Sequence, residues 1–68
     1  MEIRYDSEAG ALYLTIRKGE FHHNKKIDKN TIVDFDKDEN ILAIELLFVK
    51  ENNPDLLNNI SVKNLMVI

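Results

Sequence analysis

At 68 residues the chain is long enough for one small domain, and it contains no cysteine, so neither disulfides nor thiolate metal sites can supplement its single core. Its composition, 44% hydrophobic and 31% charged, is typical of an ordered globular protein and argues against a disordered segment. A formal net charge of -3 excludes general attraction to nucleic acid or anionic lipid, and no apolar run approaches the roughly 18 residues of a membrane span. We therefore expect a soluble cytoplasmic protein.

The first predicted element is a β-hairpin over residues 2–16. Pairing Tyr5 with Leu12 places the alternating apolar residues of both strands on one face. The loop from Ser7 to Gly10 ends in glycine, which adopts positive φ readily. Asp6 precedes the loop, and its carboxylate can accept hydrogen bonds from the backbone amides of the loop. Apolar pattern and turn chemistry thus predict the same hairpin.

A basic segment at residues 17–29 follows, with five basic and two acidic side chains, which leaves a charge of -6 on the rest of the chain. Its weak alternation at 21–27 predicts a third strand at a sheet edge, where lysines discourage pairing with other chains. Nucleic acid could bind here through Lys25, Lys26 and Lys29. We favour a solvated edge strand, because the protein is acidic overall.

His22 and His23 are the two histidines of the chain. Neighbouring side chains of a strand lie on opposite faces, so these rings are expected to be separate surface histidines and not a metal chelate.

The sequence pattern of the first hairpin recurs with a shift of thirty residues. Phe35-Asp36 corresponds to Tyr5-Asp6, and the strand after Asn40 corresponds to the strand after Gly10. This repeat predicts a second hairpin in the same register, with Phe35 opposite Leu42 and Asn40 at the positive-φ position.

The second hairpin also carries apolar residues on its outward face, unlike the first. Either the C-terminal helix or another chain must cover them, and we expect a homodimer. The predicted interface residues are Ile32, Ile41, Ala43, Leu47 and Val49.

The acidic turn of the second hairpin resembles a calcium-binding loop, since Asp34, Asp36, Asp38 and Glu45 have the spacing of loop positions 1, 3, 5 and 12. Glu39, however, replaces the glycine that such a loop needs, and the hairpin register aims Glu45 away from the turn. A solvated acidic turn is the favoured alternative, and no cofactor is expected.

No catalytic constellation stands out. Asp6 with Asp36, or Glu8 with Asp38, could supply two carboxylates if equivalent turns lay at the same end of the sheet. Turn carboxylates are usually structural, so we expect a protein that is not an enzyme.

Near the C-terminus, Asn53-Pro54-Asp55 is a typical helix start, and the apolar period predicts a helix over 54–64, although Ser61-Val62 could begin a second short element. The predicted fold is therefore α+β: an antiparallel β-meander of four to five strands built from two similar hairpins, with a C-terminal helix packed on the sheet. Residues 1–50 form the sheet and 51–68 the helical tail of a single domain, 1–68.

Together the two hairpins resemble a small prokaryotic family, domain of unknown function 2283. The resemblance covers residues 2 to about 48 and rests on Ile3-Arg4-Tyr5-Asp6 and Val33-Asp34-Phe35-Asp36 with the strands that follow each. Other members typically have proline at the position of Ser7, an acid at that of Gly10 and glycine at that of Glu39. In the second hairpin the residue with positive φ is therefore either Glu39 or Asn40. The resemblance supplies no catalytic residues, and similar short acidic proteins are often suspected of being antitoxins.

The leading functional hypothesis is a non-enzymatic protein-interaction module, a homo-oligomer that binds a basic protein partner. The first alternative is a divalent-cation-binding or metal-assisted hydrolytic protein that uses the acidic turn Asp34–Asp38. The second is a weak nucleic-acid binder through residues 17–29.

Overall fold

The computed structural model describes residues 1–55 and 65–67 of the chain. Five strands form an antiparallel arrangement, a short helix follows them, and a sixth strand pairs in parallel with the first. Among the described residues, no helix has the length and apolar character needed to cross a membrane. The elements are β1 (Glu2–Asp6), β2 (Ala11–Thr15), β3 (His23–Asp28), β4 (Thr31–Phe35), β5 (Ile41–Leu46), α1 (Val49–Asn52) and β6 (Leu65–Val67).

The strand order is β3-β4-β5-β2-β1-β6, so the predicted simple meander is wrong. The second strands of the two hairpins, β2 and β5, pair with each other at the centre of the sheet. Residues 16–22 carry the chain across one end of the sheet, where Ile16 N–H donates to the Leu42 carbonyl at 2.8 Å. This order places the apolar strands β2 and β5 inside the sheet and leaves the lysine-bearing β3 at the edge, where its charges stay solvated.

The predicted register is confirmed in the first hairpin, where Tyr5 lies opposite Leu12. In the second hairpin the same register extends only to Asp34, and a bulge then places Phe35 opposite Ile41 instead of Leu42. Asp36 N–H donates to the Asn40 carbonyl at 3.0 Å, so the loop closes over residues 37–39 and is one residue shorter than predicted. Its positive-φ residue is Glu39, at 67°, and not Asn40.

The core lies on one face of the sheet, called here the core face. Its central cluster consists of Ile3, Leu12 and Val49, which are at most 5% exposed. Continued alternation from Leu46 would place Phe48 on the core face, but Phe48 is 51% exposed because its backbone turns into the left-handed region at φ 57°. That turn reverses the alternation and brings Val49 of α1 onto the core face instead.

The C-terminal prediction is partly outside the described residues. Of the helix expected over 54–64, Pro54 and Asp55 are described and lie in a turn, whereas the sequence did not indicate α1. Residues 65–67 form β6 in parallel with β1, beyond the end of the predicted helix. The free edge of β1 supplies hydrogen-bond partners that an apolar extended segment can use.

Candidate functional site

A row of polar side chains crosses the centre of the sheet on the face opposite the core, called here the outer face. Arg4 of β1 lies opposite Tyr13 of β2, and Tyr13 lies opposite Glu45 of β5. Because directly opposed residues share a face, the three side chains are neighbours. Strand pairing thus joins residues from both hairpins into one half-buried polar row.

Tyr13 connects the two charges of this row. Its hydroxyl donates a hydrogen bond to the Glu45 carboxylate, and the Arg4 guanidinium lies 5.3 Å from its ring centroid. Burial, followed by the hydrogen bond to Glu45, raises the pKa of Tyr13 above its ordinary value of 10.0. The tyrosine therefore stays neutral and remains a hydrogen-bond donor at physiological pH.

Arg4 is only partly satisfied within this arrangement. Among the described residues, its Nε is a buried side-chain nitrogen without a hydrogen-bond partner. A buried guanidinium N–H without an acceptor costs on the order of 1–3 kcal/mol. Part of the hydrogen-bonding capacity of Arg4 is therefore unused within the described residues.

The predicted interface residues do not all lie on the outer face. Ile32 and Ala43 do, and Ile32 is directly opposite Glu45. Ile41 begins β5 beside the acidic turn and is 40% exposed, and Leu47 follows β5. Val49 is buried against Ile3 and Leu12, so its assignment to an interface is corrected.

The carboxylates of the predicted calcium loop are placed in different parts of the second hairpin. Asp36 caps its own turn: it accepts hydrogen bonds from the backbone amides of Asp38 and Asn40, each at 2.9 Å, and from the Asn40 side chain at 3.0 Å. Asp34 lies within β4, opposite Ala43, and Glu45 is held in the outer-face row. Within residues 1–55 and 65–67, no three His, Cys, Asp or Glu side chains are grouped so that they could hold a metal ion.

The two acidic turns lie at opposite ends of the sheet. Leu12 at the start of β2 pairs with Leu46 at the end of β5, because β2 and β5 run antiparallel. Asp6, which caps the first turn through the amides of Glu8 and Ala9, is therefore remote from Asp36. A carboxylate pair built from equivalent turns, which assumed a meander, is ruled out by this strand order.

The three lysines considered for nucleic-acid binding do not share a face. Lys25 lies over the Phe35 ring at 5.2 Å and within 3.5 Å of a Glu39 carboxylate oxygen. Lys26 points to the other face of β3, and Lys29 lies in the turn that follows.

The histidines are adjacent in space, contrary to the expectation of two separate rings. His22 precedes β3, so strand alternation does not govern it, and its Nδ1 lies 2.8 Å from Nδ1 of His23. His23 also contacts Glu39, with 3.1 Å between Nε2 and Oε1.

Sequence reasoning missed two parts of this geometry. The outward positions of Arg4, Tyr13 and Glu45 follow from alternation, but their meeting depends on the pairing of β2 with β5, for which the pattern of each hairpin alone carries no signal. The role of Glu39 depends on the bulge in β4–β5, and the family's glycine at this position was the available hint.

Comparison with known proteins identifies the family but no function. The family model described as "Protein of unknown function (DUF2283)" matches residues 2–50, which include all of β1 to β5. Searches of curated proteins and of solved structures return no significant match. Since the matched region covers most of the chain, the protein belongs to the DUF2283 family.

Proposed function

We propose that this protein is a non-enzymatic interaction module that binds a second copy of itself through the outer face of the sheet. The observation that carries the proposal is the polar row, in which Arg4 and Glu45 lie on either side of Tyr13 and the buried Nε of Arg4 has no partner within the described protomer. A surface that carries both charges is self-complementary under two-fold symmetry, because Arg4 of each copy can meet Glu45 of the other.

The surroundings of the row favour a face-to-face contact. Ile32 and Ala43 flank Glu45 and add apolar area on the same face. Pairing along the β3 edge is disfavoured, since β3 carries lysines and its register shifts between Lys26 and Asp28. A shifted, charged edge is a poor template for another strand, so the outer face is a better surface for a second copy than the β3 edge.

The oligomeric state tests this proposal. Sedimentation velocity over a range of micromolar concentrations is expected to show a dimer for the natural protein and a monomer for Ala43→Arg, because an extra cation desolvated at the interface opposes association. Ala9→Arg is the matched control: it makes the same substitution at an exposed turn position and should leave the dimer intact.

Exchanging the charges of Arg4 and Glu45 gives a second test of dimer formation, one that does not depend on the bulky Ala43→Arg variant. Arg4→Glu should weaken the dimer, because like charges then face each other across the two-fold axis, and Arg4→Glu combined with Glu45→Arg should restore it. Circular dichroism establishes that each variant is folded. A natural protein that stays monomeric, or a dimer that Ala43→Arg leaves unchanged, would contradict the proposal, and recovery of a basic protein by the monomer would instead favour a heterologous partner.

A further inference from the structure

We propose that His22 and His23 form a two-nitrogen chelate for a divalent transition-metal ion such as Zn²⁺, with Glu39 as the carboxylate that positions His23. The two Nδ1 atoms face each other at 2.8 Å, close enough for a hydrogen bond. Neighbouring imidazole nitrogens are the ligand type that zinc, copper and nickel ions prefer.

The structure around the histidines positions the ring of His23 and the backbone of His22. His23 stacks on Phe35 with 5.3 Å between ring centroids and an interplanar angle of 14°. His22 is fixed through its backbone, whose N–H donates to the Phe35 carbonyl at 2.9 Å. Phe35 therefore positions the ring of His23 and the backbone of His22, and the ring of His22 is positioned by its Nδ1 contact with His23.

Glu39 determines which nitrogen of His23 is available. Its Oε1 lies 3.1 Å from Nε2 of His23, and a carboxylate can only accept, so in neutral His23 the proton is on Nε2. The lone pair of His23 is consequently on Nδ1 and accepts the Nδ1–H of His22. A carboxylate on the far nitrogen of a ligating histidine is also the common arrangement around protein-bound zinc.

A metal ion can replace the proton that the two Nδ1 atoms share. His22 then carries its proton on Nε2, so both ligands are neutral imidazoles and no net proton is lost. Tetrahedral zinc with bonds of 2.0–2.1 Å needs about 3.3 Å between two ligand nitrogens, so the nitrogens must separate by about half an ångström. Both rings must also turn from their head-on arrangement so that the two lone pairs meet at the ion.

Space for the other ligands of the ion lies beside His22. An open pocket of about 420 Å³ is lined by Glu20, Phe21, His22, Asp36, Lys37 and Asp38. Because the described residues provide two neighbouring nitrogens and no group of three ligands, we assign the remaining coordination positions to water. The site thus differs from the acidic-turn cation site in both its ligands and the ions it selects.

Isothermal titration of tag-free protein with Zn²⁺ tests the proposal. One ion per chain is expected, with no binding of Ca²⁺ or Mg²⁺ under the same conditions, because those ions require oxygen ligands. His22→Gln and His23→Gln each remove an Nδ1 and should weaken Zn²⁺ binding by at least about tenfold. Glu39→Gln should weaken it by about 10- to 100-fold, as loss of a supporting carboxylate does. Glu51→Gln, the same substitution at the opposite end of the sheet, is the control and should change nothing.

Imidazole ¹⁵N shifts of the natural protein give a readout that needs no variant. Addition of Zn²⁺ should move both Nδ1 resonances far more than the Nε2 resonances. The proposal is overturned if neither Nδ1 responds, if His22→Gln and His23→Gln bind Zn²⁺ as the natural protein does, or if one ion is bound by two chains.

Discussion

The backbone N–H of Val49 donates a 2.8 Å hydrogen bond to the carbonyl of Gly10, and so fastens the start of α1 to the turn of the first hairpin. The bond forms because β2 and β5 are antiparallel partners, which brings the end of β5 to the turn that precedes β2. It also positions the side chain of Val49 against Ile3 and Leu12 in the core. One turn therefore serves both the first hairpin and the only described helix.

Replacement of Gly10 by alanine is expected to destabilise the protein. Gly10 has φ +68°, and a Cβ there would lie 3.2 Å from Cβ of Lys50. The left-handed backbone alone costs a residue with a side chain about 1–2 kcal/mol, and urea unfolding should show a loss of this size for Gly10→Ala.

Gly10→Asn separates backbone strain from crowding. Asparagine is larger than alanine but tolerates the left-handed region better, so it should lose less stability if φ is the cause. A loss larger than that of alanine would instead assign the effect to contact with Lys50.

The polar row makes a second prediction, which concerns Tyr13 and Glu45. Tyr13→Phe keeps the ring beneath Arg4 but removes the hydroxyl donor to Glu45, and should lower the free energy of unfolding by about 0.5–1.5 kcal/mol at neutral pH. The folded-state pKa of Tyr13 is raised, so its contribution is complete below pH 10 and is lost as the pH rises through that pKa.

Urea unfolding of Tyr13→Phe, Glu45→Gln and the double variant, at neutral and alkaline pH, checks this second prediction. The two changes should be less than additive at neutral pH, because each removes the same hydrogen bond. Strict additivity, or a gap between Tyr13→Phe and the natural protein that widens above pH 10, would contradict the assignment.

The sequence predicted the structural features that depend on neighbouring residues, but not those that depend on contacts between distant parts of the chain. The Tyr5–Leu12 register depends on local alternation and a four-residue turn, and it was predicted correctly. The β2–β5 pairing joins residues about thirty positions apart, and either strand could have satisfied its apolar face beside another partner. The bulge at Phe35 and the left-handed Phe48 are backbone irregularities that hydrophobic periodicity does not encode, and they moved Glu39 and Val49 from their expected surroundings.

A third prediction concerns the pH dependence of stability. Hydrogen bonds from the side chain and backbone of Asn40 hold the pKa of Asp36 below its ordinary value of 3.8. A carboxylate with a depressed folded-state pKa stabilises the protein above its unfolded-state pKa, and this contribution is lost as the pH falls through the folded value. Asp36→Ala should therefore be less stable than the natural protein at pH 7, and the difference should shrink below pH 4.

Asp38→Ala is the matched control for Asp36→Ala, since it removes a carboxylate from the same exposed turn. Between pH 7 and pH 3, the stability difference between Asp38→Ala and the natural protein should vary less than the difference between Asp36→Ala and the natural protein. Thermal unfolding measures both differences. If the two variants showed the same pH profile, general charge in the turn, and not capping by Asp36, would be the cause.

The last prediction is that Glu39→Gly stabilises the protein. Glu39 adopts φ 67° in the turn, and glycine there removes a conformational penalty of about 1–2 kcal/mol, which is partly offset by the greater freedom of glycine in the unfolded chain. The contacts with His23 and Lys25 that would be lost are made by a Glu39 side chain that is 58% exposed, so they are worth little. Urea unfolding should therefore show a net gain of about 0.5–1 kcal/mol.

Glu39→Ala is the control for this last change, because it removes the same ion pairs but keeps the penalty, and it should not stabilise the protein. If Glu39→Gly were no more stable than Glu39→Ala, backbone strain at this position would be refuted. A stabilised glycine variant that also bound Zn²⁺ more weakly would show that the strained glutamate is retained at the expense of stability, as is common for residues that support a binding site.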